Sequence, residues 1–270
     1  MEISAEANRR LQAGFHLKLD EWWPWYVRIV EEFGFDTDRD RLSARILSGI
    51  LSDRALSLEG LGKSLRGRNF IVFGCGPSLE GDLDGALGLG LFSRYHTVAA
   101  DGATNALLER AHICPYAVVS DLDGGVRGLS EADRKGAITV IHAHGDNIDA
   151  VERLAPIFKG RVAGTTQTEP LSNVYNFGGF TDGDRAVFML EEMGARRIVL
   201  MGMDFGPKVG RYSKPGLKKE VVADERKRRK LCFGKRLLEW LAPRASCEIL
   251  NATGSGEPIK GIPRVELGNL

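Results

Sequence analysis

Three aspartates stand where carboxylates can act as ligands: Asp101, Asp121 and Asp123. Asp101 follows the apolar run 97–100 and precedes Gly102, while Asp121 and Asp123 follow the run 117–120 and precede Gly124. Residues i and i+2 of an extended chain point to the same side, so this spacing predicts that Asp121 and Asp123 present their carboxylates together. Ligands of open α/β sheets bind in the crevice outside the carboxyl ends of the strands. Hard carboxylate oxygens at that edge suit Mg²⁺, which takes a few protein oxygens and the phosphates of its substrate. Aspartate is also a common cap and turn former. Three of them at two strand ends nevertheless point to a site.

Other segments carry matching chemistry. The apolar run 69–73 leads into Gly74, Cys75, Gly76, Pro77, Ser78 and Leu79. A strand, a glycine turn and a helix start bring backbone N–H groups close to a phosphate. Leu79 stands where a dinucleotide fingerprint has its third glycine, so an NAD(P)-linked oxidoreductase is the lesser alternative. The run 137–141 ends in His142, Ala143 and His144, with Asn147 shortly after. Two histidines and a loop acid are too few for a zinc site, and hydrogen bonding to a polar substrate is the better use. Thr165, Thr166 and Gln167 read as a small polar loop that either donates to a ligand or turns the chain. Thr181 and Asp182 precede Ala186, Val187, Leu190 and Met193, which keep helical spacing up to Gly194. They therefore cap a helix whose positive end can meet phosphate. Lys214, Lys218 and Lys219 lie in a glycine- and proline-containing loop, read as a flap that can steer polyphosphate.

These residues need a scaffold, and the chain alternates apolar runs with helical patterns. That alternation predicts an α/β fold, a mostly parallel Rossmann-like sheet with helices on both faces. A helical N-terminal segment over 1–65 precedes an α/β catalytic domain over 66–270. Trp22, Trp23, Trp25 and Tyr26 read as packing residues, and Asp36 as the cap of a helix presenting Leu42, Ile46, Leu47, Ile50 and Leu51 on one face. Residues 224–241 form a long helix with Leu231, Leu238 and Leu241 inside and a basic exposed side, and residues 247–250 a last strand. The 270 residues carry a formal net charge of +1, which predicts neither nucleic-acid nor membrane-surface binding. Cys75, Cys114, Cys232 and Cys247 lack zinc spacing, the start lacks a signal-peptide core, and a cytoplasmic location is expected. Self-association into a homo-oligomer stays open.

The run ADGATNALLERAHICPYAVVSDLDG resembles the catalytic core of the thiamin pyrophosphokinase superfamily, as does the later Thr181-Asp182. Tyr116 stands where an acid is usual after the proline, and Gly124 where serine is common, which weighs against thiamin as substrate. With Gly-Cys-Gly-Pro-Ser-Leu before it, and His-Ala-His-Gly-Asp-Asn and Gly-Thr-Thr-Gln after it, the set is similar to the archaeal 6-hydroxymethyl-7,8-dihydropterin pyrophosphokinase family over roughly residues 66–262. The resemblance implies Mg²⁺-dependent transfer of pyrophosphate from ATP to a reduced pterin, leaving AMP, on the route to tetrahydromethanopterin or folate. Asp101, Asp121 and Asp123 would hold Mg²⁺, with Asp182 assisting. Gly74, Gly76, Pro77, Ser78, Gly102, Asn105 and Thr181 would serve the nucleotide. His142, His144 and Asn147 would line the pterin side, with Thr165, Thr166 and Gln167 nearby. A thiamin pyrophosphokinase is the runner-up, and a non-catalytic nucleotide-binding domain the reading of another class.

Overall fold

A computed structural model describes residues 19–270. The short apolar runs form eight parallel strands: β1 Asn69–Phe73, β2 His96–Ala100, β3 Ala117–Ser120, β4 Ile138–Ala143, β5 Arg161–Thr166, β6 Val174–Tyr175, β7 Arg197–Met201 and β10 Glu248–Asn251. They lie in the order β10-β7-β1-β2-β3-β4-β5-β6. Near-continuous apolarity is what strands buried on both faces require, and β3 and β4 are buried at every position. The chain steps outward from β1 to β6, then returns to lay β7 on the other side of β1, in register Phe70 with Ile198. Every strand points the same way, so all their carboxyl ends share one edge.

Helices cover both faces, as expected. One core joins α1 (Leu19–Phe33), α3 (Leu58–Leu65), α8 (Asp182–Glu192) and α9 (Glu225–Leu241) to the sheet through Trp22, Ile29, Leu61, Val187 and Leu237. The opposite core holds α2 (Thr37–Leu51), α4 (Leu79–Gly88), α5 (Ala103–Arg110), α6 (Val126–Arg134) and α7 (Ile148–Leu154), through Leu47, Leu83, Leu107, Leu129 and Val151. Helices α1 to α3 thus share both cores with the sheet, and Leu56 N–H donates to Val162 O at 2.7 Å. Asp36 caps α2 as expected, accepting from the N–H groups of Asp38 and Arg39. Among the described residues, no helix is long and apolar enough to cross a membrane.

Three details differ from expectation. Leu42 is 42% exposed, and α2 instead turns Asp40, Ser43 and Ala44 inward. The Asp40 carboxylate is fully satisfied there, accepting from Tyr26 Oη, Gln167 Nε2 and Gly145 N. Strand β5 runs on through Thr165 and Thr166, which are ladder residues rather than a loop. The supposed flap is tied down by a hairpin, β8 (Lys208–Val209) against β9 (Val221–Val222).

Candidate active site

The carboxyl edge of the sheet opens into a cleft lined by residues from several strand ends and from α8 and α9. Its floor is acidic. Asp101 leaves β2, Asp121 and Asp123 leave β3, and each offers a carboxylate oxygen within 4.8 Å of the others. The expected convergence holds, but its geometry is not that of an extended i/i+2 pair. Leu122 takes φ +72° between the two acids and Asp101 itself takes φ +46°, so left-handed turns aim these side chains inward. Ser120 Oγ donates to Asp101 Oδ1 at 2.5 Å, and Leu122 N–H donates back to Ser120 Oγ. Gly124 leaves the space for this: a Cβ there would stand 1.7 Å from Asp101 Oδ2.

Crowding sets the proton affinities of these acids apart. Burial, then the Asp121 charge, push Asp101 up to about 7. Asp182, the first residue of α8, is pushed well up by burial and by Asp121 and Asp101. Asp123 rises through desolvation and the same Asp121. Asp121 is desolvated too, but the hydrogen bond and charge of His144, 3.6 Å away, prevail and hold it down to about 2. An all-oxygen trio without a thiolate or imidazole in the set fits a hard divalent cation such as Mg²⁺.

The walls come from every neighbouring strand end. Gly74 and Gly76 follow β1, and Met203, Asp204 and Phe205 follow β7. Asp204 was not singled out by the sequence; Ser78 Oγ and Ser255 Oγ both donate to it. His142, His144 and Gln167 line the β4–β5 end beside Phe35 and Phe180. The buried His142 ring is held neutral by burial and by the Arg185 charge, and its Nδ1 has no protein partner. Lys227, Lys230 and Leu231 of α9 also line the cleft, so the side of this helix read as exposed and basic is partly a cleft wall. The first turn of α8, whose N–H groups lack intrahelical partners, faces the cleft at Thr181, Asp182 and Gly183. Its cap is built by Asp184, which accepts from Phe180 N–H and Thr181 N–H.

Several residues expected at the ligand do structural work instead. The N–H groups of Gly74, Gly76 and Ser78 are already bound to Met201 O, Gly202 O and Asp204 Oδ2, so this turn cannot offer them to polyphosphate. Pro77 lines a neighbouring depression with Arg110, Arg211, Lys218 and Lys219 rather than the acidic cleft. Gly102 admits Tyr212, whose carbonyl oxygen would be 1.9 Å from a Cβ there. Asn105 donates to Gly124 O at 3.4 Å and steadies the acidic loop from outside. Asn147 spends its amide on the strand ends, donating to Asp121 O at 2.9 Å and His142 O at 2.7 Å, and accepting from His144 N–H at 3.0 Å. Thr165 and Thr166 are buried behind the cleft, and of that trio Gln167 reaches it.

Comparison with known proteins converges on one family. A family profile described as "6-hydroxymethylpterin diphosphokinase MptE-like" matches residues 50–210. Proteins named 6-hydroxymethyl-7,8-dihydropterin pyrophosphokinase are similar over nearly their full length. The one from Pyrococcus furiosus is 49% identical, covering 87% of this chain and 98% of its own. Those from Methanothermobacter thermautotrophicus and Methanocaldococcus jannaschii are 44% and 39% identical, covering 83% and 87% of this chain and 95% and 100% of their own. Among solved structures, the MAf glycosyltransferase of Magnetospirillum magneticum AMB-1 matches with a TM-score of 0.52 at 15% identity. That match spans 80% of this chain and 38% of the glycosyltransferase, a likeness of fold alone.

Proposed function

The chain belongs to the MptE-like 6-hydroxymethylpterin diphosphokinase family, and from that premise we propose that it moves the β,γ-diphosphoryl group of ATP onto the hydroxymethyl oxygen of 6-hydroxymethyl-7,8-dihydropterin. The hydroxymethyl oxygen forms a bond to the β-phosphorus, the bond from that phosphorus to the α,β-bridging oxygen breaks, and that oxygen leaves on AMP. The hydroxyl proton passes to a cleft carboxylate or to water. The observation that carries this reading is the trio of carboxylate oxygens within 4.8 Å of one another on the cleft floor. Such transfers need in-line positioning and neutralisation of phosphate charge more than covalent help from the protein.

Asp101, Asp121 and Asp123 would hold Mg²⁺, which would supply charge neutralisation at the polyphosphate. Asp182, with its raised proton affinity, stands beside them to orient bound water or receive the hydroxyl proton. The acceptor ring fits best at the β4–β5 end, where Phe35 and Phe180 offer aromatic surface and His142 and Gln167 offer neutral polar groups. The test is incubation with ATP, Mg²⁺ and either the reduced hydroxymethylpterin or thiamin, following AMP and the diphosphate ester. AMP released with the pterin alone is the expected result, and release with thiamin alone overturns the substrate. Asp121→Asn and Asp123→Asn should each abolish turnover in a folded protein. Near-normal turnover in both removes the metal assignment.

A further inference from the structure

After its first residue, Glu225, helix α9 carries five consecutive cations, Arg226 to Lys230, and they do not behave alike. Arg226 and Arg229 point outward to Asp146 and Glu32, at 3.7 and 3.2 Å, and Arg228 is exposed. Lys227 and Lys230, three residues apart and so on one face, are half-buried and line the cleft. Among the described residues, neither lysine has a carboxylate within ion-pair distance, although every outward partner described above is an ion pair. Lys230 Nζ instead lies 5.6 Å from the Phe35 ring centroid and 5.8 Å from that of Phe180. Desolvating a cation without an anion is costly, and that cost is offset when a ligand brings the anion.

Position says which anion. Lys227 and Lys230 line the same cleft as Asp101, Asp121 and Asp123, and neither reaches ion-pair distance of those acids, which leaves both ammonium groups to a ligand seated over the acidic floor. A group held between them and a cation on that floor must itself carry several negative charges. Lys230 also rests on the aromatic wall that borders the acceptor end, at the junction between the two substrates. We propose that Lys227 and Lys230 bind the diphosphoryl group being transferred and keep hold of it as it changes partners. This rests on the diphosphotransferase reading and adds two substrate-contacting residues to it.

The test compares two ligands on the full chain by calorimetric titration with Mg²⁺ present: α,β-methylene-ATP, which carries the diphosphoryl group, and AMP, which lacks it. Lys227→Met and Lys230→Met should each weaken the ATP analogue about 10- to 100-fold, as loss of a charge-assisted phosphate contact does. AMP affinity should stay within about twofold, and Lys230→Arg should keep most of the analogue affinity. Lys227→Gln and Lys230→Gln repeat the measurement should either methionine variant fold poorly. Unchanged analogue affinity in the lysine variants overturns the inference while leaving the parent reading intact. Equal weakening of AMP and the analogue also overturns it, because the lysines would then merely shape the cleft. A wild-type chain that does not bind the analogue brings down the diphosphotransferase reading, and this inference with it.

Discussion

Asp101 combines two costs in one residue: a left-handed backbone, φ +46°, and a carboxylate buried among other carboxylates. Leu122 and Phe205 also take positive φ, at the ends of β3 and β7 beside the same cleft. Such conformations persist where the surrounding structure over-determines them, and they gather at functional sites. Asp101→Asn separates the two costs. Asparagine tolerates the left-handed region and keeps an oxygen for Ser120 Oγ, but removes the charge. Turnover should fall by more than the roughly 10- to 100-fold that loss of an outer-sphere partner costs. In a chelator at pH 8 the same variant should melt at the wild-type temperature or above it, since an unfavourable buried charge has gone. Calorimetry beside an AMP-release assay reads both. An active variant would take Asp101 out of the metal set, and a strongly destabilised one would show that its charge is structurally paired.

At the scale of elements, the turns after β1 and β7 interlock where the sheet order reverses, and side chains are excluded there. A Cβ on Gly76 would meet Gly202 O at 2.6 Å and Asp204 Oδ2 at 1.8 Å. Gly76→Ala must therefore push apart two backbones and displace Asp204 from Ser78, at about 1–3 kcal/mol or more. Gly81, inside α4, has open space around its Cβ position, so Gly81→Ala should gain about 0.5–1 kcal/mol of helix propensity. Denaturant melts of the two variants should move in opposite directions; parallel shifts would mean that the β1–β7 turns are not rigidly packed. The same distinction explains what the sequence made legible. Strands β1 to β5, β7 and β10 announce themselves as short apolar stretches; those of β1, β2, β3 and β7 end at glycine or acid, and the acids there were readable for that reason. Strand β6 and the β8–β9 hairpin have two residues per strand, and their pairing comes from tertiary context. Asn105 and Asn147 look like ligand contacts by position, yet their amides bind backbone carbonyls. Lys227 and Lys230 were hidden because all five residues of their run are basic, so composition could not say which face turned inward. Phe35 and Phe180 reach the cleft from segments far apart in sequence, which no local pattern records.

For the whole molecule, the proposed metal site would make stability depend jointly on protons and on metal. Without metal, the folded chain holds Asp101, Asp123 and Asp182 with raised proton affinity, Asp101 up to about 7, whereas in the unfolded chain each is an ordinary carboxyl near pKa 4. Between those values the folded state binds more protons, so this contribution to stability falls as pH rises and its full penalty is present above the folded pKa. Asp121 has the opposite sign. Its stabilisation is present above its unfolded pKa and is lost only as pH drops toward about 2, outside the window. His142 and His96 are held below their ordinary value by burial and nearby arginine charge. They favour the unfolded state as pH falls below about 6.5, opposing the acids in a bare pH titration. The increment caused by Mg²⁺ at each pH removes most of that background. At pH 8 an ion at the proposed site would meet ionised carboxylates, while at pH 6 it would have to displace the Asp101 proton, which would weaken apparent affinity about tenfold per pH unit below the pKa. At 100-fold excess over Kd, Mg²⁺ should add about 2.7 kcal/mol at pH 8, roughly 5–10 °C in Tm for a chain of this size. At the same concentration the increment should shrink by pH 6. Asp101→Asn should flatten the difference between the two pH values. An increment equal at pH 6 and pH 8 in the wild-type protein would mean that the ion binds elsewhere and that the three carboxylates do not share it.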